Sequence, residues 1–296
     1  MVDRKPTPVK RDVPGSPLVD FSSRIIEISG HAGLPRVALS FSDYSDGRRC
    51  EYHGDEWFHA ASTIKVAIMV ALFALQEEGE LRLNSGLEVT NRFHSMIDGA
   101  PFSLDPARDG CPGLYQSLGQ KVPIHALIRD MIVSSSNLAT NLLLELRGAE
   151  LLQQKLVELG VAGIELLRGV EDEAAFERGI NNRVTANGLR DLFGLIWQGD
   201  GFSRHRRQAM LDILFAQEFA DRIPLGIPPE IRDATRFAHK TGEISTVVHD
   251  AGLVFLPDRP PYCLVVLTET GRAAEHSRAA IQALSSLVYQ SLINHD

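Results

Sequence analysis

Apolar residues recur along the chain with helical spacing in its middle and with strand-like spacing near its two ends. Residues 18–30 repeat apolar positions every three or four residues, which predicts a helix ended by Gly30. Residues 36–53 alternate around a Ser-Asp-Gly turn and predict a β-hairpin. Residues 61–79 are apolar almost throughout, which predicts a buried helix that Gly79 ends.

The rest of the chain continues this division between helices and strands. Further helices are predicted over residues 124–133, 138–146, 149–159, 185–198, 204–219 and 281–292, and strands over 235–245, 249–256 and 262–268. Residues 82–122 should form short helices and long loops, and residues 163–182 an irregular acidic segment. We therefore expect an α/β (α+β) fold with a flexible arm (1–17) and one domain (18–296). Its α/β part would cover about 18–80 and 222–296, and its helical part about 81–221.

Composition narrows the possible functions. The chain has 296 residues, of which 44% are hydrophobic and 23% charged, as in ordinary globular proteins. The 30 basic and 38 acidic residues give a net charge of −8, which argues against nucleic acid as a partner. No apolar run is long enough to form a membrane segment. The three cysteines lie far apart without metal-ligand spacing, so we expect no metal.

The strongest chemical signal is a serine and a lysine three residues apart at the start of the apolar helix. Ser62 and Lys65 share one helix face because positions three apart are neighbours. A helix N-terminus disfavours a cation, and burial lowers the pKa of a lysine. A neutral amine beside a hydroxyl can activate a serine nucleophile. A lone S-x-x-K pattern is nevertheless more often a lysine that reaches solvent from an amphipathic helix.

Two further motifs follow in order. Ser135-Ser136-Asn137 precedes an apolar helix, and Lys240-Thr241-Gly242 lies within a predicted strand. Taken singly, the first could be a helix N-cap and the second a solvated edge strand. The ordered set S-x-x-K, S-x-N and K-T-G is far more specific than any one member.

On these motifs the chain resembles the class A β-lactamase-like serine hydrolases of the β-lactamase and penicillin-binding protein superfamily. The resemblance extends from about residue 20 to the C-terminus. It implies a β-lactamase/transpeptidase-like fold, in which an antiparallel sheet from both ends of the chain, flanked by helices, accompanies an inserted all-helical subdomain.

The resemblance also implies roles for individual residues. Ser62 would be the nucleophile, Lys65 its base or proton relay, and Ser135 the donor of a proton to the leaving nitrogen. Other residues would contact the substrate: Asn137 its amide, and Lys240 and Thr241 its carboxylate. Gly242 would allow the substrate backbone to approach the strand closely. The backbone N–H groups of Ser62 and Glu243 would donate to the oxyanion.

The chain departs from the family pattern at several positions. Ser136 stands where the family usually has aspartate, so we expect altered loop hydrogen bonds there. The family spacing places the deacylating glutamate near Glu171, but Ala175 occupies the position of the asparagine that follows four residues later. We rank Glu171 first and Glu173 and Glu177 behind it, with an exposed acidic loop as the alternative for each. Because Ala61 precedes the serine, the disulfide found there in some class A enzymes is not expected.

The leading hypothesis is a serine β-lactamase that hydrolyses the β-lactam amide through a Ser62 acyl-enzyme and takes part in antibiotic resistance. The alternatives are a D-alanyl-D-alanine peptidase or penicillin-binding protein-like hydrolase, and a β-lactam sensor that does not deacylate. We expect a small-molecule substrate, no cofactor and a monomer. The N-terminus does not resemble a signal peptide. We therefore expect a cytoplasmic protein as written, or a trimmed mature form of a periplasmic or secreted protein.

Overall fold

The computed structural model describes residues 17–293, with side chains from Phe21 onward. Ten α-helices lie within this range: α1 Pro17–Ala32, α2 Ile64–Glu77, α3 Ile124–Val133, α4 Asn137–Arg147, α5 Ala149–Glu158, α6 Glu173–Glu177, α7 Ala186–Gln198, α8 Arg204–Phe215, α9 Pro229–Arg232 and α10 Ala274–Ile293. The strands there are β1 Val37–Asp43, β2 Arg49–Tyr52, β3 Phe58–His59, β4 Gly86–Glu88, β5 Phe93–His94, β6 Pro101–Phe102, β7 Lys121–Pro123, β8 Ile164–Glu165, β9 Arg183–Val184, β10 Arg236–Ile244, β11 Val247–Phe255 and β12 Tyr262–Glu269. Short 3-10 helices cover Ala61–Thr63, Pro106–Arg108, Pro112–Ser117 and Ile223–Gly226.

The main sheet joins the two ends of the described chain. Its five strands are antiparallel and run in the order β10-β11-β12-β1-β2. The N-terminal hairpin therefore pairs with the C-terminal strands, and Phe41 of β1 lies opposite both Cys50 and Leu264. This is the α/β arrangement that the hydrophobic pattern predicted, and it leaves β10 as one edge of the sheet.

Both faces of the sheet are covered, which explains why β11 is buried from Val247 to Val254 and β12 from Tyr262 to Thr268. Val37, Leu39 and Phe41 of β1 pack with residues of α1 and α10 such as Ile25 and Ile281. Ala38 lies on the other face, within the core that contains α2, α3, α4 and α7. Alternate side chains of a strand point to opposite faces, so a strand covered on both sides is buried at successive positions.

Helix α2 is the centre of the larger core. Every residue from Ile64 to Leu75 is buried, including Lys65. A helix that is hydrophobic on all sides is stable only when other elements surround it. Helices α3, α5 and α8 pack against α2. The predicted helix over 61–79 is confirmed in its length, although its first turn is a 3-10 helix, and Gly79 follows its end in a left-handed conformation (φ +80°).

Some element boundaries differ from the sequence prediction. The prediction that Gly30 ends the first helix was wrong: α1 continues to Ala32, and Gly33 (φ +65°) follows its end. The amide of Leu34 donates to the Ser29 carbonyl there, which closes the last turn. Helix α8 ends at Phe215 rather than near residue 219, because the chain turns at Ala216 and the amide of Glu218 donates to the carbonyl of Val133.

The inserted segment contains more than helices. It also has the short strand pairs β4-β7, β5-β6 and β8-β9, and β9 pairs in addition with β3 from outside the segment, so the expectation of an all-helical insert was wrong. The predicted N-terminal arm lies outside the described residues except for Pro17, and the domain division stays a prediction. No helix within residues 17–293 is long and apolar enough to cross a membrane. All three cysteines are free thiols.

Candidate active site

The predicted nucleophile lies in the 3-10 turn that leads from β3 into α2. Ala61, directly before Ser62, has a left-handed backbone (φ +44°), which is uncommon for a residue with a side chain. The ring nitrogen Nδ1 of His59 accepts the N–H of Ala61 at 3.0 Å and holds this turn. Because Nδ1 accepts that bond, His59 is neutral here, and burial lowers its pKa below the ordinary value. Sequence reasoning did not assign any role to His59.

Lys65 is fully buried one turn further along α2. Its Nζ donates to the Ser135 carbonyl at 2.8 Å, to Ser135 Oγ at 3.1 Å and to Asn137 Oδ1 at 2.8 Å. Burial lowers the pKa of Lys65 to about 7, while the carboxylates of Asp109 and Glu171 oppose the shift. An amine with this pKa can both accept and return a proton at neutral pH.

The second motif forms the sharp turn before α4. Ser135 has a left-handed backbone (φ +62°), which brings its carbonyl and its hydroxyl within hydrogen-bonding distance of Lys65. Ser136, not Ser135, is the N-cap, because its Oγ accepts the N–H of Ala139 at 3.1 Å. Such strained residues are concentrated at functional sites, where the surrounding structure holds them.

A carboxylate that sequence reasoning missed lies beside this turn. Asp109 is buried, and its Oδ2 accepts the N–H of Leu138 at 2.8 Å at the start of α4. The chain has serine at position 136, and Asp109 supplies the negative charge at this helix terminus from a loop. The next residue, Gly110, passes so close to Ser134 that a Cβ on it would lie 1.7 Å from the Ser134 carbonyl oxygen. The Asp-Gly pair was the available signal, but nothing local in the sequence connects it with α4.

Glu171 is the acidic-loop residue that reaches the motif residues. Its Oε1 accepts the Nδ2 donor of Asn137 at 2.6 Å, and Glu171 has a left-handed backbone (φ +59°). The side-chain amide of Asn141 fixes the preceding residue, since it accepts the Val170 N–H at 2.8 Å and donates to the Val170 carbonyl at 3.0 Å. Asn137 thus bridges Lys65 and Glu171.

Buried amide and guanidinium groups close the base of this loop. Asn182 Oδ1 accepts the N–H groups of Leu167 and Arg168, and its Nδ2 donates to the Arg168 carbonyl. The guanidinium of Arg168 donates to Asn181 Oδ1 and to the Ile180 carbonyl, each at 2.7 Å. The loop that carries Glu171 is therefore fixed at both ends, and among the described residues no carboxylate lies within hydrogen-bonding distance of Arg168.

The other two acidic candidates have different surroundings. Glu173 has an 81% exposed side chain, 3.9 Å from Arg108, and Glu177 is also exposed. Ala175 is fully buried in α6, so no side-chain amide follows Glu171 at the fourth position.

The third motif lies on the edge strand β10. Lys240 is fully buried, and its Nζ donates to the Thr241 carbonyl at 3.0 Å. Its pKa is well below the ordinary value because of burial and the nearby positive charges of Lys65 and Arg222. A Cβ on Gly242 would lie 3.2 Å from the backbone nitrogen of Ser62. Glycine therefore allows β10 to lie directly against the nucleophile turn.

A family model described as the beta-lactamase enzyme family matches residues 20–292. The chain belongs to this family. The β-lactamase of Streptomyces lavendulae is 26% identical over 241 residues, which cover 80% of this chain and 75% of that protein.

Solved structures of this family have the same fold. A mutant of PBP-A, solved as an acyl-enzyme complex with penicillin G, is 26% identical with a TM-score of 0.78, over 95% of this chain and 99% of that one. A mutant of the class A β-lactamase of the last common ancestor of Gram-negative bacteria is 25% identical with a TM-score of 0.78, over 93% and 100% of the two chains. The chain is thus a class A β-lactamase-like serine hydrolase.

The three motifs of this β-lactamase-family chain meet at one place. Lys65 contacts both Ser135 and Asn137, Asn137 contacts Glu171, and Gly242 lies beside Ser62. The positions that sequence reasoning missed are His59, Asp109 and Arg222. Within the described residues, no group of three or more His, Cys, Asp or Glu side chains could hold a metal ion.

Proposed function

We propose that this chain is a serine β-lactamase that opens the β-lactam amide through an acyl-enzyme on Ser62. The observation that carries the proposal is Lys65, which is buried at the start of the Ser62 helix and hydrogen-bonds to Ser135 and Asn137. With a pKa of about 7, Lys65 is half neutral at pH 7. A small lactam with a carboxylate beside its amide is the substrate class that the family relationship supports.

In the acylation step Ser62 Oγ attacks the lactam carbonyl carbon while its proton moves to neutral Lys65. The backbone N–H groups of Ser62 and Glu243 are the proposed donors to the oxyanion that forms. The carbon–nitrogen bond then breaks, and the leaving nitrogen takes the proton of the Ser135 hydroxyl. Lys65 Nζ, 3.1 Å from Ser135 Oγ, returns its proton to that oxygen.

Deacylation requires a base that activates water, and Glu171 is the proposed base. Its carboxylate is joined to Asn137 and, through Asn137, to Lys65. Glu171 would take a proton from water while the hydroxide attacks the ester carbonyl, and Ser62 would leave with a proton returned by the same network. The exposed position of Glu173 and its distant pairing with Arg108 favour Glu171 over it.

The decisive test is a time course of intact-protein mass spectrometry with a simple penicillin. The wild-type protein should gain one adduct on Ser62 and lose it again as hydrolysed penicillin accumulates. The Glu171→Gln variant should accumulate the adduct, whereas Ser62→Ala should form none. Glu173→Gln is the matched control, because it removes the same charge from the same loop and should clear the adduct as the wild type does. Full hydrolysis by Ser62→Ala would refute the proposal.

A second function is favoured by Ala175. The family has an asparagine at this position, and the methyl group of Ala175 cannot help Glu171 to position water as that side-chain amide would. Deacylation of a lactam should therefore be slow. A D-alanyl-D-alanine peptidase or penicillin-binding protein-like enzyme would use the same acylation residues. Faster turnover of a D-Ala-D-Ala peptide than of any penicillin, with a lasting penicillin adduct, would establish this alternative. A lasting adduct without peptide turnover would indicate a sensor.

A further inference from the structure

A cluster of charged side chains, to which the acylation steps assign no role, lies at the end of the K-T-G strand. It consists of Glu243, which follows Gly242 in β10, Arg222, which precedes the 3-10 helix at 223–226, and Arg278 of α10. Glu243 Oε1 accepts a hydrogen bond from Arg278 Nη2 at 2.6 Å, and its Oε2 accepts one from Arg222 Nη2. The carboxylate thus bridges two guanidinium groups from different parts of the fold.

Arg222 is the member of this cluster with unused hydrogen-bonding capacity. Its side chain is 5% exposed, and its Nε and Nη1 are buried without a hydrogen-bond partner among the described residues. The carboxylate of Asp221 lies 3.7 Å from Nε, beyond hydrogen-bonding distance. A buried guanidinium in this state favours an additional acceptor. After burial and Lys65, the positive charge of Arg222 also lowers the pKa of Lys240, so the two side chains lie in one region of the site.

Strand geometry relates Glu243 to the substrate-binding residues. Side chains alternate along β10, and the Cβ direction at Gly242 is toward Ser62 and Thr63. Thr241 and Glu243 therefore project from the other face of the strand, roughly 7 Å apart along it. A substrate carboxylate bound by the Thr241 hydroxyl would lie on the same face as the Glu243 carboxylate.

We propose that Glu243 sets the charge preference of this site and reduces its selectivity for substrates that carry a carboxylate beside the scissile amide. Its negative charge repels such a carboxylate, and its hydrogen bond occupies one end of Arg222. Substrates that carry no charge at this position, such as esters or amides, are not repelled by Glu243. The site therefore discriminates less strongly between them and carboxylates. The inference rests on the proposed acylation of Ser62 and names the class of substrate that the site accepts.

The test compares one penicillin with its methyl ester, which differ only in the charge next to the lactam. Second-order acylation rate constants are measured for both by intact-protein mass spectrometry, and the ratio of acid to ester is compared between proteins. In Glu243→Gln the ratio should rise about tenfold, as expected for removing one nearby charge in a partly exposed site. Glu243→Ser, which also removes the hydrogen bonds from Arg222 and Arg278, should raise the ratio as well.

Glu275→Gln is the matched control. Glu275 also lies beside Arg278, at 4.0 Å, but its side chain is 74% exposed. The control makes the same change in net charge and should leave the ratio within twofold of the wild type. Thermal unfolding of each variant identifies any that has lost its fold. A ratio in both Glu243 variants that equals the wild-type ratio would overturn the proposal.

A second pair of probes separates this inference from the proposed function. Phenylboronic acid and 3-carboxyphenylboronic acid form reversible adducts with reactive serines and need no lactam turnover. The ratio of their dissociation constants should change as the penicillin ratio does, because only the carboxylated probe should gain affinity, by about tenfold, in Glu243→Gln. If no penicillin acylates Ser62 but this gain appears, the β-lactamase proposal fails and the role of Glu243 stands. If penicillins acylate and neither ratio changes, the role of Glu243 alone fails.

Discussion

The pH dependence of acylation tests whether Lys65 is the base that activates Ser62. Only the neutral amine can accept the proton, so the acylation rate should follow the neutral fraction of Lys65. Burial lowers the pKa of Lys65 from 10.5 to about 7. The neutral fraction therefore rises from about one eleventh at pH 6 to about ten elevenths at pH 8, and the rate should rise about tenfold and level off. A lysine with its ordinary pKa would give about a hundredfold rise without levelling off.

The assay is single-turnover acylation by a penicillin, stopped by acid at intervals and followed by intact-protein mass spectrometry between pH 5.5 and 9. The carboxylate of Glu171 raises the pKa of Lys65. Removing that charge in Glu171→Gln should therefore move the midpoint to lower pH, while Glu173→Gln should leave it unchanged. A rate that is constant from pH 6 to pH 8 in the wild type would refute the reasoning, because a carboxylate base is already ionised over that range.

Three further predictions concern the residues that hold the site together. In Gly242→Ala the new methyl group would lie 3.2 Å from the Ser62 nitrogen, so the acylation rate constant should fall by up to about 100-fold with little change in melting temperature. Asp109→Asn removes the negative charge at the start of α4, and calorimetry should show a loss of about 1–2 kcal/mol, or a few degrees in melting temperature. His59→Ala removes the acceptor for the Ala61 N–H, so stopped acylation assays at pH 7 should show slower acylation. Protonation of His59, whose pKa is below its ordinary value, should slow the wild type in the same way under acidic conditions. An unchanged rate in His59→Ala, an unchanged melting temperature in Asp109→Asn, or full acylation by Gly242→Ala would contradict the respective argument.

The parts of the site that lie within one helix or strand could be predicted from the sequence. Ser62 and Lys65 are three residues apart in one helix, so helical geometry alone places them together. The apolar surroundings of Lys65 also predicted its burial and its lowered pKa, and both are present. Gly79 was recognised as a helix end because its conformational preference is local.

The parts of the site that depend on distant segments could not be predicted. Asp109 accepts a hydrogen bond from the amide of Leu138, which lies 29 residues later in the chain. The hydrophobic pattern of the sequence does not predict such a contact. The left-handed backbones at Ser135 and Glu171 are imposed by their surroundings against the preference of both residue types. The pairing of Glu243 with Arg222 and Arg278 arises only when β10, the 223–226 turn and α10 pack together.

The order of strands in the main sheet has a consequence for how the protein is made. β1 pairs with β12 over its whole length, from Val37 opposite Thr268 to Asp43 opposite Tyr262. More than 200 residues separate these partners. At typical rates of synthesis, β12 is therefore made about 10–40 s after β1. During that interval the edge of β1 that does not pair with β2 lacks its partner strand, and Ser62 has no K-T-G strand beside it. A growing chain therefore has no assembled site around Ser62, and its early hairpin needs protection from pairing with other chains until the last quarter has emerged.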